Sequence, residues 1–177
     1  DKGAAAAAEV AFSLDLPEGR CIGVRLLPTG CDDDDDCDRE WVRSCLHPSE
    51  AEYGLSSLNS SKALESFVAG RVAMRAALRS LDASSEEEDA REDDDEASLL
   101  GPVGPDEVVV LRDEHGRPAL PPGYLGSISH KGRMGAALVT RTTADTTITN
   151  GGPNEGVGID LERTSSSPPK GRRRRKS

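Results

Sequence analysis

The sequence has few aromatic residues and no long apolar run. Of its 177 residues, two are Phe, two are Tyr and one is Trp, and the apolar fraction is 35%. Such a lean apolar content predicts that part of the chain stays outside any packed core. No stretch approaches the roughly 20 apolar residues that a membrane-spanning helix needs. We therefore expect a cytoplasmic protein with no membrane partner.

Cysteine is also scarce, and its spacing excludes the common zinc sites. The four cysteines are Cys21, Cys31, Cys37 and Cys45. No two of them form a Cys-x-x-Cys pair, and their gaps match no zinc-ligand pattern. We expect free thiols in a reducing compartment.

Charge is plentiful, but three short segments carry much of it. The acidic runs 32–38 and 86–96 hold 15 of the 32 acidic residues, and the tail 170–176 holds six bases. With Arg91 also set aside, 17 acidic and 15 basic residues remain. The part of the chain that folds is thus nearly neutral, and the formal charge of −10 comes from solvated runs that repel themselves.

Composition divides the chain into a folded part and polar segments. We expect 20–162 to form one subdomain, with the helix–then–strands order of an α+β fold and an antiparallel sheet packed by a long helix. The predicted interruptions are acidic insertions at 31–38 and 84–96 and a loop insertion at 142–156. The N-terminus 1–19 and the basic tail 163–177 are expected to be disordered or poorly ordered.

Local patterns place the elements. The clearest helix is predicted over 61–81, where apolar residues recur at steps of three, four and seven. A second helix is predicted to start near 47–55, with Ser49 as its cap. The predicted strands are 20–27, 106–113, 124–129, 135–140 and 157–162.

Two arginines stand out on the predicted helix. Arg71 lies within the apolar stripe, and Arg75 follows one turn later on the same side. Two desolvated guanidinium groups suit a di-anion or a phosphate ester, which their planar forks grip bidentately. The alternative is a pair of snorkelling side chains, or ion pairs with Glu65 or Asp82.

Two acids stand out on the last predicted strand. Asp160 and Glu162 would share one face, because residues i and i+2 of a strand point the same way. Paired carboxylates suit Mg²⁺, which takes one or two of them and leaves its other positions to water and phosphate oxygens. An ordinary solvated strand face has the same pattern.

The segment GSISHKG, 126–132, places Ser129 beside His130. A serine nucleophile activated by its sequence neighbour is disfavoured, because adjacent strand residues face opposite sides. A polar clamp for a phosphate fits these residue types better, and a hydrogen-bonded structural histidine is the alternative.

The order of these motifs resembles that of a known family. FVAGRVAMRAAL, then HGRPALPPGYLGSISHKG, then VGIDLE, preceded by LHPSEAEYGL, is similar to the N-terminal half of the 4′-phosphopantetheinyl transferases of the larger, pseudo-dimeric class. The enterobactin-synthase-associated type is the nearest in pattern, and the resemblance covers roughly 45–162. It implies an enzyme that moves the phosphopantetheine arm of coenzyme A to a serine of an acyl or peptidyl carrier protein, leaving adenosine 3′,5′-bisphosphate.

The resemblance also implies a role for each matching residue. Arg71 and Arg75 would contact the phosphates of coenzyme A, Arg117 and Pro118 would border its adenine, and Ser129 and His130 would hold its 3′-phosphate. Asp160 and Glu162 would bind Mg²⁺ on the pyrophosphate.

The family continues into a second half that carries a Lys-Glu helical motif, including a candidate general base. Nothing after 162 resembles that half, so we expect this chain to be a fragment or a half that pairs with another chain. One alternative is a non-catalytic relative that binds coenzyme A or a carrier protein. Another is a nucleic-acid or nuclear-import interaction protein led by the basic tail; it ranks lower because the remainder lacks a basic surface studded with aromatic residues.

Overall fold

The computed structural model describes residues 8–28, 35–83, 99–104, 106–114, 116–142 and 158–161. These residues form an α+β arrangement of four strands and three helices. The strands are β1 (Ala8–Leu16), β2 (Gly19–Leu26), β3 (Tyr124–Lys131) and β4 (Met134–Arg141), and the helices are α1 (Asp35–Cys45), α2 (Pro48–Ser57) and α3 (Ser61–Ala83). The predicted α+β class, with an antiparallel sheet packed by a long helix, is confirmed at this level.

The four strands form one antiparallel sheet in the order β1-β2-β4-β3. The central pair, β2 and β4, places Ile22 opposite Ala137 and is buried at its centre, over 21–24 of β2 and 135–139 of β4. β3 and β4 join through a two-residue turn in which Gly132 has a φ of 61°, a conformation that glycine adopts without strain. The strands predicted at 20–27, 124–129 and 135–140 are confirmed as β2, β3 and β4.

Helix α3 lies across the sheet and is buried almost all round. Every residue from Ser66 to Leu78 is buried, because the sheet covers one side of the helix and α2 packs against another. At the contact with α2, Gly54 leaves room for the side chains of Leu64 and Phe67. The helix predicted over 61–81 is confirmed, with its end two residues later.

Small residues let α3 approach the sheet backbone closely. A Cβ atom added to Gly135 of β4 would lie 2.3 Å from the carbonyl oxygen of Ala69. A Cβ atom added to Gly70 would lie 2.7 Å from Ile128 Cγ2 of β3. Real Cβ atoms are essentially never found so close to another heavy atom, so the spacing between helix and sheet depends on these two glycines.

We predict that Gly135→Ala destabilises the fold by about 1–3 kcal/mol, because the new methyl group forces α3 away from β4. Gly104→Ala is the matched control, since a Cβ at that position meets no atom within 4 Å. Urea unfolding of the two variants measures the difference. Equal unfolding midpoints for the two variants would show that α3 moves away from β4 without a loss of stability.

The prediction of disorder over 1–19 is wrong for β1. The segment alternates apolar and polar residues and forms an antiparallel ladder with β2. This pairing stabilises the strand, and composition alone does not indicate it. A bulge between Val10 and Phe12 shifts the register by one residue. Val10 therefore packs against the core, whereas the ring of Phe12 lies over Gly23, on the face that turns away from α3.

The starts of α1 and α2 also differ from expectation. α1 begins at Asp35, so part of the acidic insertion predicted at 31–38 is helical; acidic residues are favourable in a first helical turn. At α2 the cap is His47, not Ser49. The His47 ring accepts the N–H of Ser49, and the Glu50 side chain accepts the N–H of His47, which completes a capping box.

Two predicted strands are not strands. Residues 106–113 form no ladder and make one isolated bridge, between Arg112 and Pro118. Residues 158–161 have no regular secondary structure, and the N–H groups of Ile159 and Leu161 bond to serine side chains of β3 instead of to a strand backbone. The acidic insertion 84–96, nearly all of the loop insertion 142–156 and the tail 163–177 lie outside the described residues.

Candidate anion-binding site

Arg75 belongs to a buried ion pair. Its Nη2 lies 2.5 Å from Glu50 Oε2, and its Nη1 donates to the carbonyl of Cys45 at 3.2 Å. The second carboxylate oxygen of Glu50 accepts the backbone N–H of Val110 at 2.7 Å. The Arg75 side chain is 5% exposed and that of Glu50 is fully buried. This one pair thus ties together α3, α2 and the segment around Val110.

The partner of Arg75 is not one that the sequence suggested. Glu65 lies against Arg133, and Asp82 accepts a hydrogen bond from Tyr124. The predicted contact of Arg75 with coenzyme A is not favoured by this geometry, because two of its donors already bond to protein oxygens.

A second ion pair extends the network. Arg79 and Glu107 form two bonds, Nε to Oε1 at 2.6 Å and Nη2 to Oε2 at 2.9 Å. Arg79 also donates to the carbonyls of Leu99, Gly101 and Pro102. The network therefore fastens the described residues between 99 and 110 onto α3, although residues 100–104 and 106–110 have no helix or strand.

We predict that Arg75→Met destabilises the protein by about 3–5 kcal/mol, because it leaves the Glu50 carboxylate buried without its countercharge. Adding Glu50→Gln to that variant should recover part of the loss, since a neutral amide oxygen still accepts the N–H of Val110. Denaturant unfolding of the two single variants and the double variant measures the coupling. Additive losses would contradict a direct ion pair.

Arg71, one turn before Arg75, has a different environment. It is 5% exposed, its guanidinium carbon lies 4.7 Å from the centre of the Phe67 ring, and its Nε is buried without a hydrogen-bond partner. No carboxylate of the described residues forms an ion pair with it. Burial, opposed in part by the charge of Glu50, lowers the pKa of Arg71 to about 10. The side chain therefore remains a cation at neutral pH.

His130 and Arg112 lie beside Arg71. His130 Cδ2 would be 3.5 Å from a Cβ at Gly70, so the ring is on the face of β3 that packs against α3. Its pKa is lowered, first by burial and then by the charges of Arg112 and Arg71. Arg112 is exposed and has no ion-pair partner in the described part of the chain. The charges of Arg71 on α3, His130 on β3 and Arg112 in the segment 106–114 thus influence one another.

Ser129 faces the opposite side of the sheet. Its Oγ accepts the N–H of Leu161 at 2.9 Å and donates to Asp160 Oδ1 at 3.3 Å. Ser127, two residues earlier on the same face, accepts the N–H of Ile159 at 3.4 Å. The structure therefore does not bring the side chains of Ser129 and His130 together, which agrees with the alternation expected of a strand.

The predicted adenine-bordering turn lies next to Arg112. Asp113 accepts both the backbone N–H and the Nε of Arg117, at 2.8 and 2.9 Å. Gly116 has a φ of 80°, as the turn requires, and Pro118 pairs with Arg112 in an isolated bridge. Arg117 and Pro118 therefore border the basic cluster, although the exposed Arg117 side chain is paired with Asp113.

The predicted Mg²⁺ ligands are only partly described. Asp160 is exposed in a segment that is not a strand, and Glu162 lies outside the described residues. Within the part of the chain that is described, no group of three or more His, Cys, Asp or Glu side chains could hold a metal ion. The argument from a shared strand face is thus not supported for Asp160, and the metal pair stays a prediction.

Sequence reasoning missed Arg112 and Glu50. Arg112 directly follows the apolar run VVVL and precedes the turn. Its position was a signal that it could join Arg71 and His130 as a phosphate-binding base. Glu50 was read only as part of a helix start, yet it is the acid that holds Arg75. A buried carboxylate in a first helical turn has no signal in composition.

The two described cysteines are free, as predicted. Cys21 and Cys45 are buried thiols, and burial raises the pKa of each. Cys31 lies outside the described residues, and the side chain of Cys37 is not described.

Comparison with known proteins adds no assignment. The sequence matches no protein-family model and no curated protein. Among the described helices, none has both the length and the apolar content to cross a membrane. The functional argument therefore rests on the basic cluster of Arg71, Arg112 and His130 and on the order of the sequence motifs.

Proposed function

We propose that this chain binds coenzyme A through its phosphates and forms the coenzyme A-binding half of a 4′-phosphopantetheinyl transferase. The proposed acceptor is a serine of an acyl or peptidyl carrier protein. The observation that carries the proposal is the buried guanidinium of Arg71, which has no anionic partner among the described residues and is influenced by two further bases.

The energetics favour an anionic ligand at Arg71. A buried charge without a countercharge costs several kcal/mol, and an unsatisfied buried donor costs about 1–3 kcal/mol more. The contact with the Phe67 ring stabilises the cation by about 2 kcal/mol. The ring alone therefore does not offset the burial, whereas an oxygen anion would satisfy both the charge and the free Nε.

The number of bases favours a phosphate over a carboxylate. Arg71 and Arg112 supply two guanidinium groups, and His130 can become a third cation. A phosphate monoester carries a charge of about −1.5 to −2 at pH 7 and offers three acceptor oxygens, so it can use donors from all three segments. The order of the motifs then specifies coenzyme A as the phosphate-bearing ligand.

Each residue has a separate task in the proposed reaction. The basic cluster binds and orients the donor, while Arg117 and Pro118 border its adenine. Asp160 would hold Mg²⁺ together with Glu162 on the face of β3 opposite to His130, so coenzyme A would have to reach around this strand. When bound, Mg²⁺ supplies charge neutralisation on the pyrophosphate. Ser129 positions Asp160 through the hydrogen bond between them.

We predict that Arg112→Ala weakens coenzyme A binding about tenfold or more, which is the loss expected when one charge-assisted bond is removed. Arg71→Met should also lose affinity, and its stability should stay equal or rise because an unpaired buried cation is replaced by an apolar side chain of similar length. Calorimetric titration measures the first effect and urea unfolding the second.

The control is Arg25→Ala, which removes another exposed arginine, one on β2 that pairs with Glu9. Its coenzyme A affinity should match that of the wild type. If Arg25→Ala and Arg112→Ala lose the same coenzyme A affinity, the loss reflects the net charge of the protein and not a contact made by Arg112. If Arg71→Met unfolds the protein and Arg75→Met does not, then Arg71 is the structural arginine and the proposed roles of the two residues are wrong.

A further prediction concerns the metal. Mg²⁺ should strengthen coenzyme A binding to the wild type, because a ligated cation compensates the charge on the pyrophosphate, and it should have a smaller effect on Asp160→Asn. Titrations with and without Mg²⁺ test this, with Asp15→Asn, an exposed carboxylate on β1, as the control. An identical Mg²⁺ effect in the wild type and in Asp160→Asn would exclude Asp160 as a ligand.

A further inference from the structure

His130 packs against α3 next to Arg71, because its Cδ2 lies 3.5 Å from the Cβ position of Gly70, the residue before Arg71. The charges of Arg112, in the segment 106–114, and of Arg71, on α3, both lower the pKa of the ring. Lys131 is the next residue on β3, and Glu50 on α2 acts on Arg71 but already bonds Arg75. No carboxylate of the described residues bonds to the His130 ring. The missing partner of the whole cluster is a negative charge.

We propose that this site takes up one proton when a phosphate monoester dianion binds, and that the proton goes to the imidazole of His130. The inference rests on the proposed function, because coenzyme A supplies the phosphate monoester at its 3′ position. The step is an acid–base equilibrium: the unprotonated ring nitrogen accepts a proton from the buffer, and no other bond is made or broken. The occupied site therefore differs from the free site by the two negative charges of the phosphate and by one added proton.

The sign of the linkage follows from the charges. An unperturbed histidine, with a pKa near 6.5, is only about 10% protonated at pH 7.5, and burial and both arginines lower the pKa of His130 further. A bound dianion neutralises the arginines and attracts the imidazolium, so it raises the pKa of the ring. The contribution of the imidazolium to binding is therefore fully present below the pKa of His130 in the free site. It weakens by at most about tenfold per pH unit as pH rises between the two pKa values, and it is lost above the pKa of the bound state.

The ligand itself does not account for the uptake. The second pKa of a phosphate monoester is near 6, so at pH 7.5 the group is mostly a dianion before it binds. Arg71, with a pKa of about 10, is already protonated. Dephospho-coenzyme A, which keeps the pyrophosphate but lacks the 3′-phosphate, should bind with little or no proton uptake.

The test is calorimetric titration of coenzyme A into the full chain at pH 7.5, in two buffers of different ionisation enthalpy, such as Tris and HEPES. The difference in observed enthalpy gives the number of protons taken up, for which we expect about 0.5 to 1. His130→Gln, which keeps a hydrogen-bond donor but cannot be charged, should bind more weakly and take up none. Circular dichroism confirms that the variant is folded, and Lys131→Gln is the matched control that should retain the uptake.

The outcomes separate the two proposals. Binding of coenzyme A by the wild type without proton uptake overturns the inference and leaves the proposed function standing. Uptake that persists in His130→Gln assigns the proton to another group and also overturns the inference. If neither coenzyme A nor dephospho-coenzyme A binds, the proposed function fails and the inference fails with it.

Discussion

The ion pair of Glu50 and Arg75 is the contact on which the arrangement of the molecule depends. It joins the first turn of α2 to the middle of α3, and its second oxygen fixes the backbone at Val110, two residues before Arg112. A segment without regular secondary structure has no ladder to position it. A fully buried carboxylate that accepts from a helix cap, a guanidinium and a backbone amide can hold such a segment in one place.

The same geometry explains why neighbouring arginines have unlike roles. Arg75 is paired with a buried acid. Arg71, one turn earlier, lies against the Phe67 ring and is bonded to no acid in the described part of the chain. The close approach of α3 to the sheet then decides what Arg71 can reach. Because Gly70 admits the β3 side chains, the ring of His130 lies against the helix at the level of Arg71. The basic cluster is thus a consequence of helix–sheet spacing as much as of residue type.

Much of the fold could be predicted from periodicity, and the failures have physical causes. The periodicity of the apolar stripe predicts α3 as a helix, and the short apolar runs predict β2, β3 and β4 as strands. β1 was missed because an alanine-rich segment has little intrinsic preference for a strand, and only its pairing with β2 reveals one. The run VVVL at 108–111 has a high strand propensity, yet Glu50 takes the N–H that a ladder would need. In the site, residue type identified Arg71 and His130, but it could not tell that Arg75 is neutralised by an acid 25 positions away.

The bulge in β1 has a consequence for how the protein avoids association. It turns Leu14 and Leu16 to the outer face of an edge strand, where they are 48% and 38% exposed. Exposed apolar side chains on a free edge invite pairing with another chain. A bulge also increases local twist and leaves one residue out of register, so a flat second strand cannot match β1 along its full length. The irregularity that exposes these leucines therefore also makes their strand a poor template for aggregation.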